Sequence, residues 1–353
     1  MTQTETNDLS LLTDQLIQRL YEKGFVPHNK VSIFFQKSIQ SITSIIYFLT
    51  CKYILSTGDI HSVKLVLKIP KRQYIEIGEH ESKFYQTLAV GNSQPFFIKL
   101  YDTGLIPDTQ KNYLLLEDVS ATHYQVEGVI PITKNLAEQV VDCLATFHAN
   151  WWGNDNLIKN NNYPDFDKSR PYLTQALDAF PAFVDFLSDR LSLERCRIYE
   201  KIFSNWPPKV LTGRMQEGKN ITLVHGDSRQ GNFLFPNKFV NSELKIVDWQ
   251  DWHINVGPND LANLIAKDWY PERRKQIEEV LIGRYHSRLI DLGIKNYPLH
   301  ECWVDYRIGV IRCLFWPIVM WSNHNVPDAV WWSLLEKNMS AFNELRCIEL
   351  LES

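Results

Sequence analysis

The sequence predicts an α+β protein in two lobes, the first built on strands and the second mainly on helices. Three observations carry that expectation. Segments rich in Ile, Val, Phe and Tyr are confined to residues 31–117, helical periodicity dominates after Val119, and the chain of 353 residues is longer than one hydrophobic core usually serves. The boundary is set between Asp118 and Val119, giving a lobe of residues 1–118 and a lobe of residues 119–353, with a cleft expected between them.

Each element has its own signal. Residues 7–24 read as an amphipathic helix, with Asn7 and Asp8 as caps, Leu9, Leu12, Leu16 and Leu20 at helical spacing, and Gly24 as the stop. Strands follow at Val31–Gln36, Ser44–Leu55 and Ser62–Ile69, and Gly58-Asp59 marks the turn between the last two. In the third strand Val63, Leu65, Leu67 and Ile69 alternate with Lys64, Val66 and Lys68, so both lysines lie on the face opposite the apolar stripe. A helix over Gln73–Leu88 and strands over Phe96–Tyr101 and Tyr113–Glu117 complete the first lobe. In the second, Leu136, Val140, Leu144 and Phe147 are spaced to bury one helix face. Pro164, Pro171, Pro181 and Pro207-Pro208 cut the middle into short segments, and strand-like Ile221–Val224 and Leu244–Val247 precede a helical, tryptophan-rich end that starts at Pro258.

Composition excludes several classes. With 44% hydrophobic and 22% charged residues the chain is neither disordered nor fibrous, and a net charge of -4 supplies no field for a nucleic-acid backbone. The six cysteines, Cys51, Cys143, Cys196, Cys302, Cys313 and Cys347, form no CxxC pair and read as reduced core residues. The polar start at Met1 lacks the pattern of a signal peptide, so a cytoplasmic location is expected. The apolar run Leu314–Trp321 is too short to span a bilayer and contains Pro317, which favours a buried helix and no membrane partner.

The chemistry is concentrated in His225-Gly226-Asp227-Ser228-Arg229-Gln230-Gly231-Asn232, followed by Ile246-Val247-Asp248-Trp249. A chance H-G-D-x-x-x-x-N in such a chain has odds of about one in a thousand. An Asp followed five residues later by an Asn suits phosphoryl transfer to a hydroxyl, which needs a carboxylate beside the acceptor oxygen and hard oxygen ligands for Mg²⁺. Turn formation alone would also use Asp, Gly and Asn, but the other parts of such a site occur in order along the chain.

These motifs resemble those of the aminoglycoside phosphotransferase, choline kinase and ecdysteroid-kinase-like group, and the likeness covers most of residues 30–270. It implies a bilobal protein-kinase-like fold and a kinase that uses ATP and Mg²⁺ and phosphorylates a small-molecule hydroxyl. By the same resemblance Asp227 is the catalytic base or orienting group, Asn232 a catalytic and metal-binding residue, and Asp248 the second metal ligand. Lys68 in Leu65-Val66-Leu67-Lys68-Ile69 resembles the lysine that holds the α and β phosphates, and Glu81 in Glu81-Ser82-Lys83-Phe84-Tyr85 its partner, with Lys64 and Glu79 as the alternatives. Leu114-Leu115-Leu116-Glu117-Asp118-Val119 resembles the adenine-binding hinge, where Glu117 and Val119 would act through their backbone. His148 in Leu144-Ala145-Thr146-Phe147-His148 reads as a packed structural histidine, as does His225, and Asp260 as either a brace of the catalytic loop or a helix cap. Asp251 is an unassigned carboxylate.

One departure stands out. The loop Lys37-Ser38-Ile39-Gln40-Ser41-Ile42-Thr43-Ser44 contains no glycine, so Ser41, Thr43 and Ser44 are expected to replace close backbone approach with hydroxyl donors. For the acceptor, Trp303, Tyr306, Phe315, Trp316, Trp321, Trp331 and Trp332 offer either core or the walls of a pocket for an apolar or cationic alcohol. A nucleotide-binding pseudokinase or regulatory module is the alternative. A hydrolase using His225, Asp227 and Ser228 is disfavoured, since the chain lacks a G-x-S-x-G elbow.

Overall fold

The computed structural model describes residues 3–27, 31–89, 94–106, 109–126, 128–154, 169–238, 240, 242–324 and 326–352, with the side chains of 3–11 and 169–170 outside that description. Pro164 and the side chains of Asn7, Asp8 and Leu9 therefore lie outside the described residues. Contacts divide the chain into two compact units, Met1–Tyr124 with Leu234–Asp251, and Gln125–Phe233 with Trp252–Ser353.

The first unit is built mainly on a five-stranded antiparallel sheet. Helix α1 spans Gln3–Glu22, and strands β1 (Ser32–Gln40), β2 (Ser44–Ile54), β3 (Ile60–Pro70), β4 (Leu100–Leu105) and β5 (Asn112–Glu117) pair in the order β1-β2-β3-β5-β4. Leu12, Leu16 and Leu20 of α1 pack on Tyr47, Leu49, Leu65, Leu67, Ile69 and Leu115, so the apolar stripe of β3 faces this core. The opposite face carries Lys64, which is exposed, and Lys68, which is covered.

Local differences from the sequence reading have clear causes. The helix α1 starts at Gln3, which places Asn7 and Asp8 inside it rather than at its cap. The expected strand Phe96–Tyr101 lies instead at Leu100–Leu105, with a register shift between Leu100 and Asp102. Its aromatic start has another use: Phe97 makes a single parallel bridge to Ile246, and Phe96 accepts the Ile246 N–H at 2.9 Å. The segment 73–88 begins as a 3₁₀ turn at Arg72–Tyr74, becomes helix α2 at Ile75–Phe84, and ends in a π-helical stretch at Tyr85–Ala89. Pro317 sits in the first turn of a helix, Phe315–Ser322, where its missing N–H breaks no helical bond.

Segment 234–251 is sequentially remote but packs with the first unit. Trp249 stacks on Phe84 with centroids 4.0 Å apart and planes 9° apart, and both rings are buried. The Glu243 carbonyl lies 3.0 Å from His123 Nε2. These contacts bring Asp248, assigned by sequence order to the second lobe, into the unit that holds Lys68.

The second unit is mainly helical. Helix α3, Lys134–Trp151, is capped by the Thr133 hydroxyl, which accepts the Leu136 N–H at 3.4 Å. A ribbon of Thr222–Val224 and His253–Asn255 precedes both the 225–232 loop and the Pro258–Ala262 helix, which runs on into a π-helical turn at Asn263–Lys267. The six cysteines are free. Among the described residues no helix is long and apolar enough to cross a membrane.

Candidate active site

The motif residues form two clusters, one in each unit. In the first, Lys68 of β3 is nearly enclosed, its side chain 11% exposed, and its ammonium reaches Glu81 Oε2 at 2.7 Å and Asp248 Oδ1 at 2.5 Å. Burial alone would lower the Lys68 pKa, but Asp248 and then Glu81 outweigh it and hold the ammonium raised and charged. Burial and the neighbouring Asp248 push the Glu81 carboxyl up, against the pull of Lys68. Glu79 and Lys64 are exposed and stand outside the cluster.

The spacing of the two motifs explains this geometry. Phe84 follows Glu81 by one helical turn and Trp249 directly follows Asp248, so the stacked Phe84–Trp249 pair fixes both carboxylates on Lys68. Asp248 itself has φ 68°, a left-handed conformation that an L residue adopts only when its surroundings hold it there.

The turn between β1 and β2 is tied to itself. Ser41 N–H donates to Ser44 O at 2.9 Å, Ser41 Oγ–H donates to Ser44 O at 3.1 Å, and Ser44 N–H donates to Ser41 Oγ at 3.0 Å. Thr43 Oγ1 donates to Gln250 Oε1 at 3.1 Å, and Ser44 is buried. The Ser41 hydroxyl thus serves the turn, and the Thr43 hydroxyl ties the turn to Gln250. In the 117–119 segment the Val119 carbonyl accepts from Thr122 and His123, while Glu117 N–H and Asp118 N–H donate to Lys99 O and Lys64 O.

The second cluster centres on Asp227. Gly226 has φ 86°, which only glycine adopts freely, and this turn delivers Asp227 from the ribbon end. Asp227 Oδ1 accepts from Lys267 Nζ at 2.6 Å, and Oδ2 has Asn232 Nδ2 at 3.3 Å and Arg229 Nε at 3.5 Å. Asn232 Nδ2 also donates to the Asp227 carbonyl at 2.7 Å, so its amide oxygen is turned away from the loop. Burial would raise the Asp227 carboxyl, yet Lys267 and then Arg229 hold it well below the usual carboxylate range.

Asp260 braces the loop. It accepts the N–H groups of His225 at 2.7 Å and Gly226 at 2.9 Å and pairs with His148 Nε2 at 3.1 Å, while its own carbonyl accepts from Ser228 Oγ at 2.6 Å. His148 is fully buried, and its Nδ1 meets Tyr285 Oη at 2.8 Å. A Cβ at Gly257 would lie 2.2 Å from that hydroxyl, so this position admits no side chain. Asp268 accepts the Gln230 N–H at 2.9 Å. Asp251 is buried in the first unit.

Lys267 was not singled out from sequence. Its signal was present: Asp260, Asn263 and Lys267 recur at i, i+3 and i+7, which puts all three on one helical face toward the loop. Of the aromatics, Tyr306, Phe315 and Trp331 are core, whereas Trp303, Trp316, Trp321 and Trp332 are half-buried. The Trp316 ring lies 5.4 Å from the Lys267 ammonium and 4.7 Å from the Tyr172 ring.

Residues 41–295, well over half of the chain, match the model of the ecdysteroid kinase-like family. The chain belongs to that family. Family membership places this ecdysteroid kinase-like protein in the class of small-molecule kinases. No curated protein matches it. Among solved structures it is similar to a Plasmodium vivax ethanolamine kinase, with a TM-score of 0.55, 13% identity, and coverage of 92% of this chain and 85% of that one. A microcompartment-associated aminopropanol kinase follows with a TM-score of 0.51, 13% identity and coverage of 92% and 96%. A GDP complex of an aminoglycoside 2'-phosphotransferase gives a TM-score of 0.50, 15% identity and coverage of 92% and 98%. These likenesses establish the kinase-like fold: a strand-built N-terminal region and a helical C-terminal part.

Proposed function

We propose that the protein transfers the γ-phosphoryl group of MgATP to a hydroxyl of a small molecule. The observation that carries this reading is Lys68, buried, charged and held between Glu81 and Asp248. Two carboxylates around one ammonium leave one negative charge uncompensated, which suits the arrival of a dication with a polyphosphate. In this reading Lys68 contacts the α and β phosphates and Glu81 keeps it in place.

Asp248 and the amide oxygen of Asn232 are each hard oxygen donors of the kind Mg²⁺ takes, and among the described residues no group of three or more His, Cys, Asp or Glu side chains converges as a ready-made metal cage. Such a cation would be completed by the triphosphate and would screen its charge. The Ser41 hydroxyl is engaged in its turn and the Thr43 hydroxyl with Gln250, which favours the backbone N–H groups of Ile42 and Thr43 as phosphate donors. Backbone groups of Glu117 and Val119 would bind adenine.

Asp227 orients the acceptor hydroxyl and takes its proton as the bond to phosphorus forms. The similar structures include an aminopropanol kinase, an ethanolamine kinase and a phosphotransferase bound to GDP and kanamycin. For this chain the half-buried Trp316, Trp321 and Trp332 support an acceptor with an apolar body. A cationic acceptor has weaker support, because Trp316 already faces the Lys267 ammonium.

The test is ADP formation measured with and without Mg²⁺ across amino alcohols, aminoglycosides, steroid-like alcohols and simple sugars. Activity that requires both Mg²⁺ and an apolar alcohol is expected. Tight MgATP binding without transfer to any acceptor would favour the pseudokinase alternative, and activity confined to simple sugars would overturn the acceptor class.

A further inference from the structure

We propose that Lys267 is a positioning residue of the transfer step, holding the Asp227 carboxylate through Oδ1 so that Oδ2 is presented to the acceptor hydroxyl. This rests on the reading of Asp227 given above. The geometry separates the two oxygens. Oδ1 takes the short 2.6 Å contact to Lys267, whereas Oδ2 lies 3.3 Å from Asn232 Nδ2 and 3.5 Å from Arg229 Nε, whose side chain is 52% exposed. Lys267 itself is 5% exposed, so its hold on Asp227 is shielded from solvent and little screened by salt.

A purely structural role explains the pair poorly. The loop backbone is held by Asp260 at residues 225 and 226 and by Asp268 at residue 230, through hydrogen bonds that Lys267 does not make. A buried ion pair adds little net stability over well-packed apolar side chains, because desolvation of both charges offsets their attraction. What Lys267 does supply is orientation of one side chain, through its 2.6 Å contact to Asp227 Oδ1. The π-helical turn Asn263–Lys267, a form that recurs at functional sites, carries the lysine to Asp227 while Asp260 stays on the loop backbone. Trp316 lies against the other side of the ammonium, 5.4 Å away, and limits its swing.

The consequence concerns the acceptor. Its hydroxyl meets a carboxylate whose charge is already balanced by a fixed ammonium, so a positive charge on the acceptor gains little from this pair. Selection among alcohols then falls to shape and apolar contact.

The experiment compares wild type with Lys267→Met, Lys267→Arg and Asp227→Asn. Two readouts are taken: MgATP turnover with the best alcohol of the panel, and the split between kcat and the KM values for ATP and for that alcohol. In Lys267→Met turnover should fall about 10- to 100-fold through kcat, while the KM for ATP stays within about twofold. Lys267→Arg, which keeps a cation within reach of Oδ1, should restore most of the turnover. Wild-type turnover in Lys267→Met overturns the assignment. So does a folded Lys267→Arg with no turnover; this variant also covers failure of Lys267→Met to fold. Full activity in Asp227→Asn would instead sink the reading of Asp227 itself, whereas an inactive Asp227→Asn beside a fully active Lys267→Met removes Lys267 alone.

Discussion

Both units bury a lysine against carboxylates, but they balance the charge differently. In the first, Lys68 faces two acids, Glu81 and Asp248, and the cluster keeps an excess negative charge. In the second, Asp227 faces Lys267 with Arg229 behind it, one acid between two bases. The first arrangement is suited to receive cations and polyphosphate; the second keeps one carboxylate ionised and fixed.

The sharpest way to break this comparison is Asp227→Asn. Turnover should fall by at least about 10²-fold while MgATP affinity by calorimetry stays within a few-fold, because only the second cluster is touched. Near wild-type turnover would remove the distinction. Asp248→Asn comes next: deleting one of the two acids on Lys68 should weaken MgATP binding about tenfold or more and change metal-free nucleotide binding far less. Equal affinity for MgATP in that variant would mean that the excess charge is not reserved for a cation.

Lys68→Ala should raise the KM for ATP and also cost about 3–5 kcal/mol of stability, since Glu81 is 2% exposed and would be left buried without its partner. Lys64→Ala should change neither, and the reverse ranking in kinetics and chemical denaturation would move the contact to Lys64. The smallest effect is in pH dependence. Asp305 is pushed up to about 7 by burial, against Arg214 and a 2.8 Å bond from Tyr297 Oη, whereas Asp227 is held low. A carboxyl raised in the folded state binds more protons there than in the unfolded chain, so stability should fall as pH rises between about 4 and 7. Asp305→Asn should flatten that slope in denaturation series, and an unchanged slope would show that another group sets it.

How far the sequence could be read varied with distance along the chain. Lys68, Glu81, Asp227, Asn232 and Asp248 were each visible in short motifs, because each sits where strand alternation, a helical turn or a glycine turn dictates its direction. The strand at Leu100–Leu105 was displaced because Phe96 and Phe97 look like strand residues locally but are consumed by Ile246 and the aromatic cluster around Trp249. The hydroxyls of Ser41, Thr43 and Ser44 were legible as donors, but not their partners, since Gln250 is more than 200 residues away from Thr43.

By itself the sequence determined the strand-then-helix order, the apolar faces of α1 and β3, and the type of each motif residue, all of which follow from periodicities of two and 3.6 residues. Only the tertiary structure decided that segment 234–251 packs with the strand unit, that Phe84 and Trp249 stack to place two acids on Lys68, and that Lys267 holds Asp227. Those outcomes depend on contacts between residues far apart in the chain, whose energies come from packing and desolvation, and neither is encoded in a local pattern.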